Sequence, residues 1–222
     1  PIESEELAEE ATFLRAAVAL AKGDIEAAEA EADELDDDSP WRYYFDYNIG
    51  AALAANGDWD SASRFFRRLD DANDSEELKA LRDRAFAASG YARLAAGEFD
   101  EAGKDFVRVR LTSPVSDRAL LGYGWASLET EQYVAALSPW ETLSQRPPVS
   151  QSVRESLLAV PYAYEQLSRP GLALARYQQA RDVLQDEVSD LVSQRVVHPL
   201  EVIDVQEQER EGLHLPLRTL EL

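Results

Sequence analysis

Apolar and polar positions alternate most legibly between Tyr47 and Phe66, where the chain reads YNIGAALAANGDWDSASRFF. Tyr47, Ile49, Gly50 and Leu53 form a stripe at helical spacing that stops at Gly57-Asp58. A second stripe, Trp59, Ala62, Phe65 and Phe66, starts at once. Two short amphipathic helices joined this closely must fold back on each other. Gly57 supplies the backbone angle that ends the first helix, and Asp58 caps the second by accepting a hydrogen bond from its free N–H groups. Gly50 and Ala62 are small where larger side chains would hold the pair apart.

The hairpin recurs. Its small second-helix residue falls on Ala28, Ala62, Ala102, Ala136 and Ala173, at spacings of 34, 40, 34 and 37 residues. Four places on stand Phe66, Phe106, Trp140 and Tyr177, with Ala32 in the first copy. The small first-helix slot falls on Ala16, Gly50, Gly90, Gly124 and Pro161, and a proline twelve residues past the alanine closes three copies, at Pro40, Pro114 and Pro148. The uneven spacings put the insertions between hairpins, with the polar run Asp70 to Glu77 as the expected place of the six-residue excess. This pattern resembles the tetratricopeptide repeat (TPR), which sets an apolar-Gly pair and Ala-x-x-x-Phe at fixed offsets within about 34 residues. The resemblance implies an all-α fold, a right-handed α-solenoid of about five TPR-like hairpins over residues 1–185 (8–40, 41–74, 76–114, 116–148 and 152–185), with a capping helix and tail over 186–222.

Local signals fill in this frame. A helix from Leu7 to Lys22 closes at Gly23, and the second helix of that copy ends in the acidic run Asp33 to Asp38. Thr12, Arg15 and Ala32 make this first copy atypical, as suits a repeat at the end of an array. Trp41, Tyr43, Tyr44, Phe45 and Tyr47 cannot all face one core, so some line a groove or pack on the preceding repeat. The third repeat reads as helices from Glu76 to Ala96 and from Phe99 to Leu111, and Ser116 reads as the cap of the next. Pro139 and Pro161 argue locally against helix, but the repeat pattern outweighs them. Val183, Leu184, Val188, Leu191 and Val192 prolong the last apolar stripe, and a helix from Leu200 to Glu211 would cover the open end.

Composition narrows the function classes. No apolar run is long enough to span a bilayer. The absence of cysteine removes disulfides and thiolate chemistry, and the absence of methionine points to a removed leader or an excised piece of a longer chain. With resemblance to bacterial repeat proteins, this gives a periplasmic or cell-envelope location as the expectation and a cytoplasmic one as the alternative. The net charge of -21, from 43 acidic against 22 basic residues, disfavours nucleic acid and anionic membrane surfaces. It suits either a solvated acidic surface or a basic partner.

The resemblance also implies a concave face built from first helices, where partner proteins bind as peptides or helices. Equivalent mid-helix slots hold Ala51, Tyr91, Trp125 and Tyr162, and slots two turns earlier hold Tyr44, Arg84, Arg118 and Glu155. With Tyr47 and Asn48, the candidate groove is Tyr44, Tyr47, Asn48, Arg84, Tyr91, Arg118, Trp125 and Tyr162. Aromatic area beside arginines suits peptide binding, while the same aromatics also suit gap-filling between neighbouring first helices. The family's terminal-carboxylate clamp is incomplete: Asn48 fits one slot, but Leu14, Ala88 and Gly122 hold its equivalents and Glu10 replaces the first basic residue. An enzyme finds little support. His198 and His214 stand apart from the repeats, pairs such as Glu9-Glu10 suit solvated helix faces, and no phosphate loop or His-Glu metal helix is present. The acidic runs lack a calcium loop's glycine and terminal glutamate. The expectation is a non-catalytic protein-binding scaffold without cofactor or metal, the alternative a self-association module whose C-terminal stripe joins copies.

Overall fold

The computed structural model describes residues 2–35, 39–72 and 74–186, and every regular element within them is helical. Five hairpins follow in order: α1 (Ile2–Ala21) with α2 (Ile25–Ala32), α3 (Pro40–Ala55) with α4 (Trp59–Arg67), α5 (Glu76–Ala96) with α6 (Phe99–Val107), α7 (Ser116–Glu129) with α8 (Tyr133–Ser144), and α9 (Gln151–Gln166) with α10 (170–186). Each of the helices α1 to α8 packs on the next, and the first helices also pack on one another, α1 on α3, α3 on α5, α5 on α7 and α7 on α9. The backbones of α2, α4, α6 and α8 stay apart, and long side chains bridge the gap where Arg67 of α4 meets Asp105 of α6 at 3.8 Å. First helices therefore form a continuous inner layer and second helices a spaced outer one, the architecture of an α-solenoid. The expected capping helix and tail, with Val188, Leu191, Val192, His198 and His214, lie outside the described residues.

One turn geometry makes all five hairpins. The residue five places before each signature alanine has a positive φ: Gly23 at 78°, Gly57 at 82°, Gly97 at 80°, Glu131 at 59° and Ser168 at 56°. The next residue caps the second helix in two copies, Asp24 accepting from the Ala27 N–H at 3.0 Å and Asp58 from that of Ser61 at 3.1 Å. In the last two copies a side chain occupies the left-handed region that glycine tolerates without cost. Glu131→Gly and Ser168→Gly are each expected to stabilise the fold by about 0.5–1 kcal/mol, read as a raised urea midpoint.

The core repeats just as regularly. Ala28, Ala62, Ala102 and Ala136 are fully buried and Ala173 nearly so. Phe66, Phe106 and Trp140 are buried beside the small first-helix slots: a methyl group added at Gly50, Gly90 or Gly124 would stand 2.8, 2.6 or 2.1 Å from them. One added at Gly122 would stand 2.3 Å from Phe106. Each large residue is thus a knob clasped between its own first helix and that of the next hairpin, and this clasp stacks the repeats. In the first copy Phe13 takes the aromatic part instead, with ring centroids 5.0 Å from Trp41, 6.4 Å from Tyr44 and 5.5 Å from Phe45.

The structure corrects several local expectations. Glu76 follows Arg67 by nine residues and Ser116 follows Val107 by nine, so the run after α4 carries no insertion. The excess lies inside a hairpin, because α5 has 21 residues where α7 has 14. Ser116 does not cap α7: it lies buried in the first turn, behind an N-cap Val115 whose side chain makes no capping bond. Helix α6 stops at Val107, α2 stops at Ala32 before the acidic run, and α1 starts at Ile2. Pro40 opens α3, where its missing N–H costs nothing, with Ser39 as the cap.

Candidate functional site

The first-helix layer aligns equivalent slots of α5, α7 and α9, so a side chain midway along one helix faces the first half of the next. The Tyr91 hydroxyl of α5 donates to the Arg118 backbone carbonyl of α7 at 2.8 Å. The Trp125 Nε1–H of α7 donates to the Glu155 carboxylate of α9 at 3.0 Å. Each ring also braces the knob beneath it, Tyr91 edge-on to Phe106 with centroids 5.1 Å apart and Trp125 edge-on to Trp140 at 4.9 Å. The rings therefore join neighbouring hairpins and also form the floor of a cleft of about 600 Å3 lined by Tyr91, Asp117, Arg118, Leu121, Trp125 and Glu155.

The charges in this cleft are unequal in availability. Asp117 pairs with Arg146 and accepts from the Ser150 hydroxyl at 2.9 Å, and Glu155 is held by Trp125. Arg118 lies exposed with its guanidinium 5.3 Å from the Tyr91 ring centroid, and it has no acidic partner among the described residues. Burial pushes the Tyr91 hydroxyl up to about 12, against the opposing pull of Arg118, so it remains a neutral donor at physiological pH. The chemistry on offer is a guanidinium without an acidic partner among the described residues, held over the Tyr91 ring in a cleft that Trp125 also lines.

Tyr91, Arg118 and Trp125 are brought to this cleft; the other predicted residues do not line it. Tyr44 donates to Glu77 at 2.8 Å and packs by its ring toward Phe13, and Tyr47 stacks at 5.7 Å on Phe66. Asn48 is half-buried on α3. Arg84 is exposed and, like Arg118, unpaired among the described residues, one hairpin upstream. Tyr162 is 38% exposed on α9. Absent from the sequence-derived site are Asp117 and Leu121. Asp117 had a signal: an aspartate stands seven places before the small slot in two copies, Asp83 and Asp117, and each pairs with an arginine beyond the second helix, Arg110 and Arg146. The run Asp70 to Glu77 is likewise engaged, Asp70 with Arg108, Glu76 with Lys79 and Arg110, and Glu77 with Tyr44.

No family model matches the chain, and no curated protein matches it significantly in sequence. Solved structures do match in fold. A MamA protein (MSR-1) is similar with a TM-score of 0.58 and 17% identity over 82% of this chain and 99% of that one. A Podosopora anserina protein with nearly identical TPR-like repeats gives 0.54 and 16%, over 80% and 95%. The apo form of RapI gives 0.63 and 12%, over 82% and 72%. The chain has the fold of TPR-like repeat proteins.

Proposed function

We propose that the protein is a non-catalytic scaffold that holds a segment of another protein in the cleft between α5, α7 and α9. The observation that carries this reading is Arg118, a cation with no acidic partner among the described residues in a chain of net charge -21, whereas Arg93, Arg110 and Arg146 are each engaged by acids. A guanidinium held over the Tyr91 ring suits a carboxylate or backbone carbonyl on a bound segment, with Tyr91 and Trp125 giving contact area. Arg84 extends the same surface by one repeat. In affinity capture, Arg118→Ala is expected to lower recovery of the partner about tenfold, a usual effect for a central arginine. Trp125→Phe, which keeps the packing on Trp140 but loses the N–H, distinguishes contact from mere bracing. Equal recovery on both variants and the parent chain would sink the proposal.

A second reading, self-association through α10, is favoured by Leu172 and Leu174, exposed at 50% and 59%. Light scattering on the parent chain and on Leu172→Asp with Leu174→Asp tests it. A dimer lost only from the variant supports self-association, and monomers in both remove it.

A further inference from the structure

Independently of that cleft, the outward face of α1 presents a surface built unlike any internal junction. In α7, the positions two before and two after the small slot face the preceding hairpin's second helix. Gly122 abuts Phe106, and a methyl at Gly103 of α6 would stand 3.7 Å from Tyr123 and 4.0 Å from Ala126. These two positions are small in later copies: Asn48, Ala88, Gly122 and Ala159 before the slot, Ala52, Ala92, Ala126 and Ala163 after it. In α1 they are Leu14 and Val18, exposed at 56% and 54%, and Leu7 is exposed at 64%. With the exposed Ala11 and Ala21 they complete a seam, Leu7, Ala11, Leu14, Val18 and Ala21, whose members alternate in steps of four and three residues. That spacing lets a second helix lie along α1 with its side chains interdigitating.

The charge around the seam selects what lies there. Residues 1–35 carry eleven acidic and two basic side chains. One of the two basic residues, Arg15, is already bound by Glu31 at 2.7 Å and Glu34 at 3.2 Å. A second copy would bring the same acidic hairpin against itself. The chain's own residues 187–222, with eight acidic and three basic side chains, share the sign. We propose that α1 docks a cationic amphipathic helix of a partner protein, seated where a preceding repeat's second helix would lie. Leucines at the steps of the seam would meet Leu7, Leu14 and Val18, and flanking lysines or arginines would meet Glu10 and the acidic residues of α2.

Two synthetic helices of about 20 residues, with identical leucines at four-three spacing but flanked by lysine and arginine in one and by glutamate in the other, test this by calorimetric titration into the full chain. The cationic helix is expected to bind, and to bind about tenfold more weakly at high than at low salt. Leu14→Asp with Val18→Asp is expected to weaken it a further tenfold or so, although the substitutions add negative charge. Arg118→Ala should leave it unchanged, which separates this surface from the cleft. Helix content by circular dichroism confirms that the exposed substitutions leave the fold intact. Binding retained or strengthened by the aspartates, equal binding of the acidic helix, no binding of either, or a homodimer dissolved by the same substitutions would each overturn the proposal.

Discussion

Trp140→Ala is expected to cost about 4 kcal/mol of stability, Gly124→Ala about 2–3 kcal/mol, and the double variant clearly less than their sum. Trp140 is fully buried in α8, its Nε1–H donates to the Leu121 carbonyl at 3.1 Å, and its ring meets Trp125 edge-on. Removing the indole opens a cavity between two first helices and leaves that carbonyl without its donor. Gly124→Ala fails for the opposite reason, because its methyl would stand 2.1 Å from Nε1 of a ring that is hydrogen-bonded in place. In the cavity left by Trp140→Ala the same methyl meets empty space, and its overpacking cost disappears. Urea unfolding of the four chains reads the coupling directly. Additive losses would mean that glycine and knob do not share one space, and the account of how the repeats clasp would fall with them. The indole also supports Trp125, so Trp140→Ala should loosen the cleft floor before the chain unfolds.

That clasp explains how much of the fold was legible. A small residue opposite a large one is a local constraint, set by offsets within one hairpin, so Gly50 with Phe66, Gly90 with Phe106 and Gly124 with Trp140 leave a readable trace in composition. The turn was legible at Gly57 for the same reason and hidden at Glu131 and Ser168, where packing holds a positive φ that the residue type does not announce. The long α5 was legible, with both ends where the sequence puts them, at Glu76 and Ala96; the six-residue excess was misplaced because Glu76, Glu77 and Lys79 suit a polar connection as well as a helix's first turns, and the cap at Ser75, accepting from the Leu78 N–H at 3.1 Å, decides it. At the candidate site, equal slots disclosed Tyr91, Arg118 and Trp125. What sequence does not reveal is which arginine is already engaged. Arg110, Arg118 and Arg146 look alike in the chain, and their difference rests on carboxylates about 30 residues away, at Asp83 and Asp117.

Arg110→Ala is expected to cost about 3 kcal/mol, far more than its part-exposed position suggests, because it strands a buried charge. Asp83 lies fully buried on α5 and receives the Arg110 Nε–H at 2.8 Å and the Arg110 backbone N–H at 3.3 Å. The pair fastens the first turns of α5 to the chain leaving α6, so the two ends of this hairpin are held by one contact. Truncating the arginine leaves the carboxylate one backbone donor and no countercharge. Glu76→Gln removes a second acid from the same guanidinium, but Glu76 is 78% exposed, and an exposed pair contributes only about 0.5 kcal/mol. If burial of the charge is what makes Arg110→Ala costly, then adding Asp83→Leu to it should recover most of the loss, since an apolar side chain needs no partner there. Thermal and urea unfolding of the single and double variants distinguish this from loss of packing by the arginine stem, which Asp83→Leu would leave uncorrected. The Asp117–Arg146 pair has the same layout in the next hairpin, but Ser150 shares its load and Asp117 is about a quarter exposed, so Arg146→Ala should cost less. The ordering of these two losses, greater at Arg110 than at Arg146, follows from the carboxylate's burial and remaining donors; the two arginines are nearly equally exposed, so losses set by their own packing would be about equal.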